Sequence, residues 1–128
     1  LSTPLISVVD DDASVRASTE NLLKSRGYIV QTFASAEALL RSPRLNETSC
    51  VITDVQMPVM SGLDLMVEMR IRGYAAPFIF ITAFPNDRLR ASALSAGAIG
   101  FLAKPFAGHT LIERLDAALK ENRGGADT

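Results

Sequence analysis

"VITDVQMPVMSG", Val51 to Gly62, is an apolar run that ends on a carboxylate, Asp54, and then turns through Met57-Pro58 toward Gly62. Cys50 to Thr53 reads as a buried strand, which places Asp54 at its tip. An ionised acid is costly beside an apolar interior unless it is paired. The residues that pair with it have to come from elsewhere in the chain.

Outward from this stretch, short apolar runs alternate with amphipathic ones. Leu5 to Val9 is a strand, followed by a helix from Ser14 to Arg26 that Gly27 ends. Tyr28 to Phe33 is a second strand. Ser35 caps the next helix, Ala36, Leu39 and Leu40 face inward, and Pro43 stops it. After Asp54, Leu63, Leu65, Met66 and Met69 recur at helical spacing up to Gly73. Phe78 to Ile81 is the most apolar strand, and Asn86-Asp87 cap a helix that Gly97 closes. Ile99 to Leu102 is a fifth strand, and Leu111, Ile112, Leu115 and Leu119 mark a last helix.

Five strands in strict alternation with five helices predict an α/β fold, a doubly wound parallel sheet covered on both faces. Right-handed crossovers put the carboxyl ends of all the strands along one edge, where such folds bind ligands. Function is therefore to be sought at the strand tips. Residues 1–121 form one domain, and 122–128, within the polar stretch "ENRGGADT", read as a tail or the start of a linker.

Composition narrows the classes. The 128 residues are 48% hydrophobic and 21% charged, enough to bury a core in one domain. Thirteen basic residues against 14 acidic ones leave a net charge of −1, so this domain carries no footprint for nucleic acid or an anionic membrane. One Cys and one His exclude an internal disulfide and a structural zinc site, and Cys50 reads as a buried, inert thiol. No apolar run reaches membrane-spanning length and no signal peptide is evident; the expected location is the cytoplasm.

The strand tips carry the chemistry. The first ends in Asp10-Asp11-Asp12, the third in Asp54, the fourth in Thr82 and the fifth in Lys104-Pro105. Capping of a helix accounts for Asp12, but three adjacent carboxylates exceed what a cap needs. Asp11 with Asp54 would make a hard, all-oxygen site suited to magnesium. Only three lysines stand against ten arginines, and Lys24 and Lys120 fall on amphipathic helices. Lys104 instead follows a strand directly, where it can pair with Asp54 or meet a phosphoryl oxygen. A cation, an ammonium and a hydroxyl around a carboxylate are the equipment of phosphoryl transfer.

These residues resemble a known family. "VVDDDASVR", "VITDVQMPVMSG", "FITA" and "FLAKPF" occur in the order found in response-regulator receiver domains of two-component signalling, and the FixJ-like group is the most similar. The resemblance runs from about Leu5 to about Leu119. It implies a flavodoxin-like (CheY-like) sheet in the order 2-1-3-4-5, with Asp54 as the phosphorylation site. Asp11 and Asp54 would hold Mg2+, or alternatively Mn2+, with the backbone carbonyl of Gln56 and, through water, Asp10. Thr82 and Lys104 would contact phosphoryl oxygens, while the side chain of Gln56 faces the pocket mouth. Phe101 falls at the aromatic switch position, coupled to Thr82.

The implied partners are a histidine kinase, a second copy in a phosphorylation-dependent homodimer, and a C-terminal DNA-binding output domain. The domain itself would be a regulatory phosphoacceptor rather than an enzyme. Two alternatives stay open: a haloacid-dehalogenase-type phosphatase, whose second acid would fall at Gln56, and an unphosphorylated docking receiver.

Overall fold

In the computed structural model, which describes residues 3–127 and side chains through Lys120, the five strands form one parallel sheet in the order β2-β1-β3-β4-β5. They are β1 (Leu5–Val9), β2 (Ile29–Phe33), β3 (Thr48–Asp54), β4 (Phe78–Thr82) and β5 (Gly100–Ala103). Between them lie α1 (Ala13–Ser25), α2 (Ala36–Leu40), α3 (Gly62–Ile71) and α4 (Asp87–Ser95), with a 3-10 turn at Leu45–Glu47; α5 (Gly108–Asp127) closes the domain. The order reverses at β1 and β3, so their carboxyl ends open the crevice in which such sheets bind ligands.

Successive strand residues point to opposite faces, and each face has its own core. Phe78 and Phe80 of β4 join Val9 and Val51 against Leu39, Leu65, Met66, Met69 and Ala93, from α2, α3 and α4. Ile79 and Ile81 join Ile6, Val8 and Ile52 against Leu23 of α1 and Leu111, Leu115 and Leu119 of α5. Both faces of β4 are fully buried, and each such side chain contributes about 2–3 kcal/mol on leaving water. This two-sided burial is why β1, β3 and β4 read as continuous apolar runs. β2, at the edge, is only partly covered.

Local chemistry sets the helix ends. Asp12 caps α1 by accepting from Ser14 N and Val15 N, as capping alone required of it. Ser35 caps α2, Asn86 caps α4, and Ser61 with Asp64 forms a capping box for α3. Gly27 follows α1 at a φ of +88°, a left-handed turn that a Cβ would resist.

Some boundaries differ from the sequence reading. β3 is longer at both ends than Cys50 to Thr53, so Asp54 is the last strand residue rather than the first beyond it. Its pairing with Ile81 of β4 keeps the strand regular through the acid. α5 begins at Gly108 and runs on through Asp127, into the stretch expected to be a tail. The tail reading concerns residues whose side chains lie outside those described. His109 is exposed in the first turn of α5, and Cys50 is buried with its thiol pushed up to about 12 by desolvation.

Candidate functional site

Three of the strand tips expected to converge meet at one cluster. Asp10, the residue after β1, is fully buried, while Asp11 is exposed at the rim and Asp54 is nearly buried at the end of β3. Carboxylate oxygens of all three lie within 4.8 Å of one another. Lys104, just beyond β5, reaches both inner acids: its Nζ is 2.9 Å from Asp10 Oδ2 and 3.2 Å from Asp54 Oδ2. Backbone geometry aims the lysine, because Lys104 N donates to Thr82 O at 2.7 Å across the β4–β5 edge. The Lys104–Pro105 peptide bond is cis.

Each inner acid is held by a backbone amide as well. Asp10 Oδ1 accepts from Asp12 N at 2.9 Å, and Asp54 Oδ1 accepts from Gln56 N at 3.3 Å. Arg16, one turn into α1, donates to the backbone carbonyl of Asp10 at 2.6 Å. That contact was not foreseen, since nothing in the spacing of an arginine on an amphipathic helix distinguishes it from a solvated one.

The electrostatics are unbalanced in a way that favours a cation. Burial raises the Asp54 carboxyl above its ordinary value; Lys104 opposes this by hydrogen bond and charge, and the neighbouring Asp10 adds to it. For Lys104, burial works against the ammonium, yet the hydrogen bonds and charges of Asp10 and Asp54 outweigh it and hold the group above its ordinary value. Three carboxylates thus face one ammonium, and negative charge is left uncompensated. Asp10 Oδ2 is buried and, its ion pair with Lys104 aside, makes no aligned hydrogen bond. Hard oxygen donors with spare lone pairs fit a small divalent cation.

Thr82 and Gln56 meet directly, which the sequence did not foretell. The Thr82 hydroxyl donates to Gln56 Oε1 at 2.7 Å and accepts from Phe84 N at 3.1 Å. The Gln56 side chain therefore lies at the pocket mouth, as expected, but with a partner. Gly62 closes the floor: a Cβ there would stand 2.3 Å from the Asp54 carbonyl oxygen, so only glycine fits. Phe101 of β5 is partly buried against the α2–α4 core and lines a groove with Pro85, Asp87, Arg90 and Ala103. Phe106, partly buried, packs on the opposite core.

Beside Lys104, between α1 and the start of α5, lies a cavity of about 590 Å3 lined by Val15, Leu22, Pro105 and Phe106. Among the described residues, no helix is long and apolar enough to cross a membrane.

Comparison with known proteins agrees with this geometry. The family model of the response regulator receiver domain matches residues 6–116. The transcriptional regulatory protein TdiR of Thauera aromatica is 41% identical over 120 residues, covering 94% of this chain and 53% of that protein. Nodulation protein W of Bradyrhizobium diazoefficiens is 38% identical over 119 residues, 93% of this chain and 52% of that one. The chain thus spans about half the length of these relatives. The crystal structure of FixJ-N superposes with a TM-score of 0.83 at 31% identity, covering 94% of this chain and 96% of its own. With sheet order, strand-tip residues and matched length in agreement, the chain belongs to the response regulator receiver domain family.

Proposed function

We propose that this domain accepts a phosphoryl group on Asp54 from a partner histidine kinase and passes the event on as a change of surface. The observation that carries the reading is the Lys104 ammonium shared by Asp10 and Asp54 beside the Asp10-Asp11-Asp54 cluster. An Asp54 oxygen attacks phosphorus; the new P–O bond forms as the bond to the donor's leaving group breaks and that group departs with the electron pair. Lys104 neutralises charge on the transferred group, and the Thr82 hydroxyl can turn to donate to it. Asp11 and Asp54, with the Gln56 backbone carbonyl and Asp10 through water, would hold Mg2+. When bound, the ion supplies charge neutralisation and alignment of the phosphoryl oxygens.

Phosphorylation replaces one negative charge by about two and adds acceptor oxygens. Drawing Thr82 inward leaves space beside β5 into which Phe101 can turn, remodelling the face of α4, β5 and α5. That face then pairs with a second copy and controls an output domain. Relatives nearly twice as long, one of them a transcriptional regulatory protein, support a DNA-binding output domain. The domain is regulatory and turns over nothing but its own phosphoryl group. The phosphatase alternative lacks its second acid, since Gln56 offers an amide already engaged by Thr82.

The deciding experiment adds acetyl phosphate and Mg2+ and weighs the protein. A gain of one phosphoryl group, lost in Asp54→Asn, is expected; no gain in the folded protein would leave a docking receiver as the better account. Sizing with beryllofluoride and Mg2+ tests the second step, and a persistent monomer would refute the dimer alone.

A further inference from the structure

We propose that Gln56 is a positioning residue that holds the Thr82 hydroxyl away from Asp54, so that capture of a phosphoryl group has to break this hydrogen bond. The inference rests on the phosphoacceptor reading of Asp54 and adds a restraint to it. A threonine hydroxyl has one proton to give. Here that proton goes to Gln56 Oε1 at 2.7 Å, while one of its lone pairs is taken by Phe84 N at 3.1 Å. Thr82 is fully buried, so its hydroxyl has no bulk water to fall back on. Donation to a phosphoryl oxygen and donation to Gln56 are mutually exclusive.

Gln56 is well placed to couple the two groups. Its backbone N–H donates to Asp54 Oδ1 at 3.3 Å while its side chain accepts from Thr82, so a single residue touches the acceptor carboxylate and the hydroxyl. From Thr82 the chain of contacts continues to Phe84, through a turn in which the hydroxyl accepts the amide two residues on. Pro85 restricts Phe84 further, and the Phe84 ring is 72% exposed at the start of the β4–α4 loop. Moving the Thr82 hydroxyl therefore releases the loop amide together with Gln56. The side chain of Gln56 is exposed, so the tie can open toward solvent without disturbing the core.

The effect expected is that of one neutral hydrogen bond exchanged within a fold, roughly fivefold in an equilibrium. Gln56→Met keeps length and removes the acceptor; Gln56→Glu keeps an acceptor. In metal-free protein, the Thr82 methyl NMR signal should move in Gln56→Met and stay near its native position in Gln56→Glu. With Mg2+, Gln56→Met should bind beryllofluoride roughly fivefold more tightly than the native protein, and this gain should vanish in a Thr82→Val background. An unmoved methyl signal in Gln56→Met, or an equal gain in the Thr82→Val background, would overturn the proposal. Failure of the native protein to bind beryllofluoride would instead strike the phosphoacceptor reading, and the metal-free methyl comparison would still decide whether Gln56 holds the hydroxyl.

Discussion

The Lys104 ammonium bridges two carboxylates at the ends of different strands, 2.9 Å from Asp10 Oδ2 and 3.2 Å from Asp54 Oδ2. Each acid needs it, because the two repel each other and Asp54 is disfavoured as an anion by burial. Lys104→Met removes the ammonium that, among the described residues, pairs with both acids. The rate of mass gain from acetyl phosphate should fall on the order of 100-fold, the usual loss for one preorganised charge partner. Far-UV circular dichroism of the same variant should still report the native helix content.

Uncompensated charge at Asp10, Asp11 and Asp54 also predicts that Mg2+ stabilises the fold. At a hundred times its dissociation constant, the ion should add about 2.7 kcal/mol to unfolding free energy. Denaturant midpoints with and without Mg2+ measure this directly. In Asp11→Asn the increment should shrink, because one hard anionic donor at the rim is lost.

Gly62 touches the chemistry through the main chain. Alanine there would drive a Cβ to 2.3 Å from the Asp54 carbonyl oxygen and 3.1 Å from Thr53 Cγ2. The loop must move, and Gly62→Ala should cost about 1–3 kcal/mol by urea denaturation. Phosphorylation should slow as well, since the shifted backbone carries Asp54 with it.

Val59 is the one non-glycine residue among those described with a positive φ, at 71°. A β-branched side chain is strained there, and its 95% exposure means that no packing repays the strain. Val59→Gly should therefore stabilise the domain by up to about 1 kcal/mol, the relief of strain exceeding the added chain entropy. A melting temperature that rises by a few degrees confirms it, and a fall counts against strain at this position.

Cys50 should behave as a structural thiol. Burial pushes it up to about 12, so thiol reagents at neutral pH should modify it only when the chain unfolds. An unfolded thiol ionises near 9.0, well below the folded one. Its contribution to stability is complete below that value and declines as pH rises from there toward 12, because only the unfolded state gives up the proton.

Alternation of strand and helix was legible because two-sided burial forces apolar runs such as Phe78 to Ile81, and because Ser35, Asn86 and Gly27 punctuate helices by local chemistry. Asp10, Asp11, Asp54 and Lys104 were legible for a related reason: acids and an amine at the ends of buried strands have few structural uses. The amphipathic spacing of α5 faded in "ENRGGADT", so its continuation through Asp127 was not anticipated. Backbone bonding can propagate a helix through a stretch that has no hydrophobic period to read.

What the amino-acid order determined by itself was therefore the list of elements, their caps, and the identity of the charged residues at their tips, all of which depend on neighbours within a few positions. Tertiary structure alone decided which of those groups touch. Parallel pairing of β3 with β4 brings Gln56 to Thr82, and the extension of β4 by β5 brings Lys104 to both Asp10 and Asp54. Those meetings join residues 26 to 94 positions apart, and a hydrogen bond or ion pair at such separation is set by strand register, which no local pattern encodes.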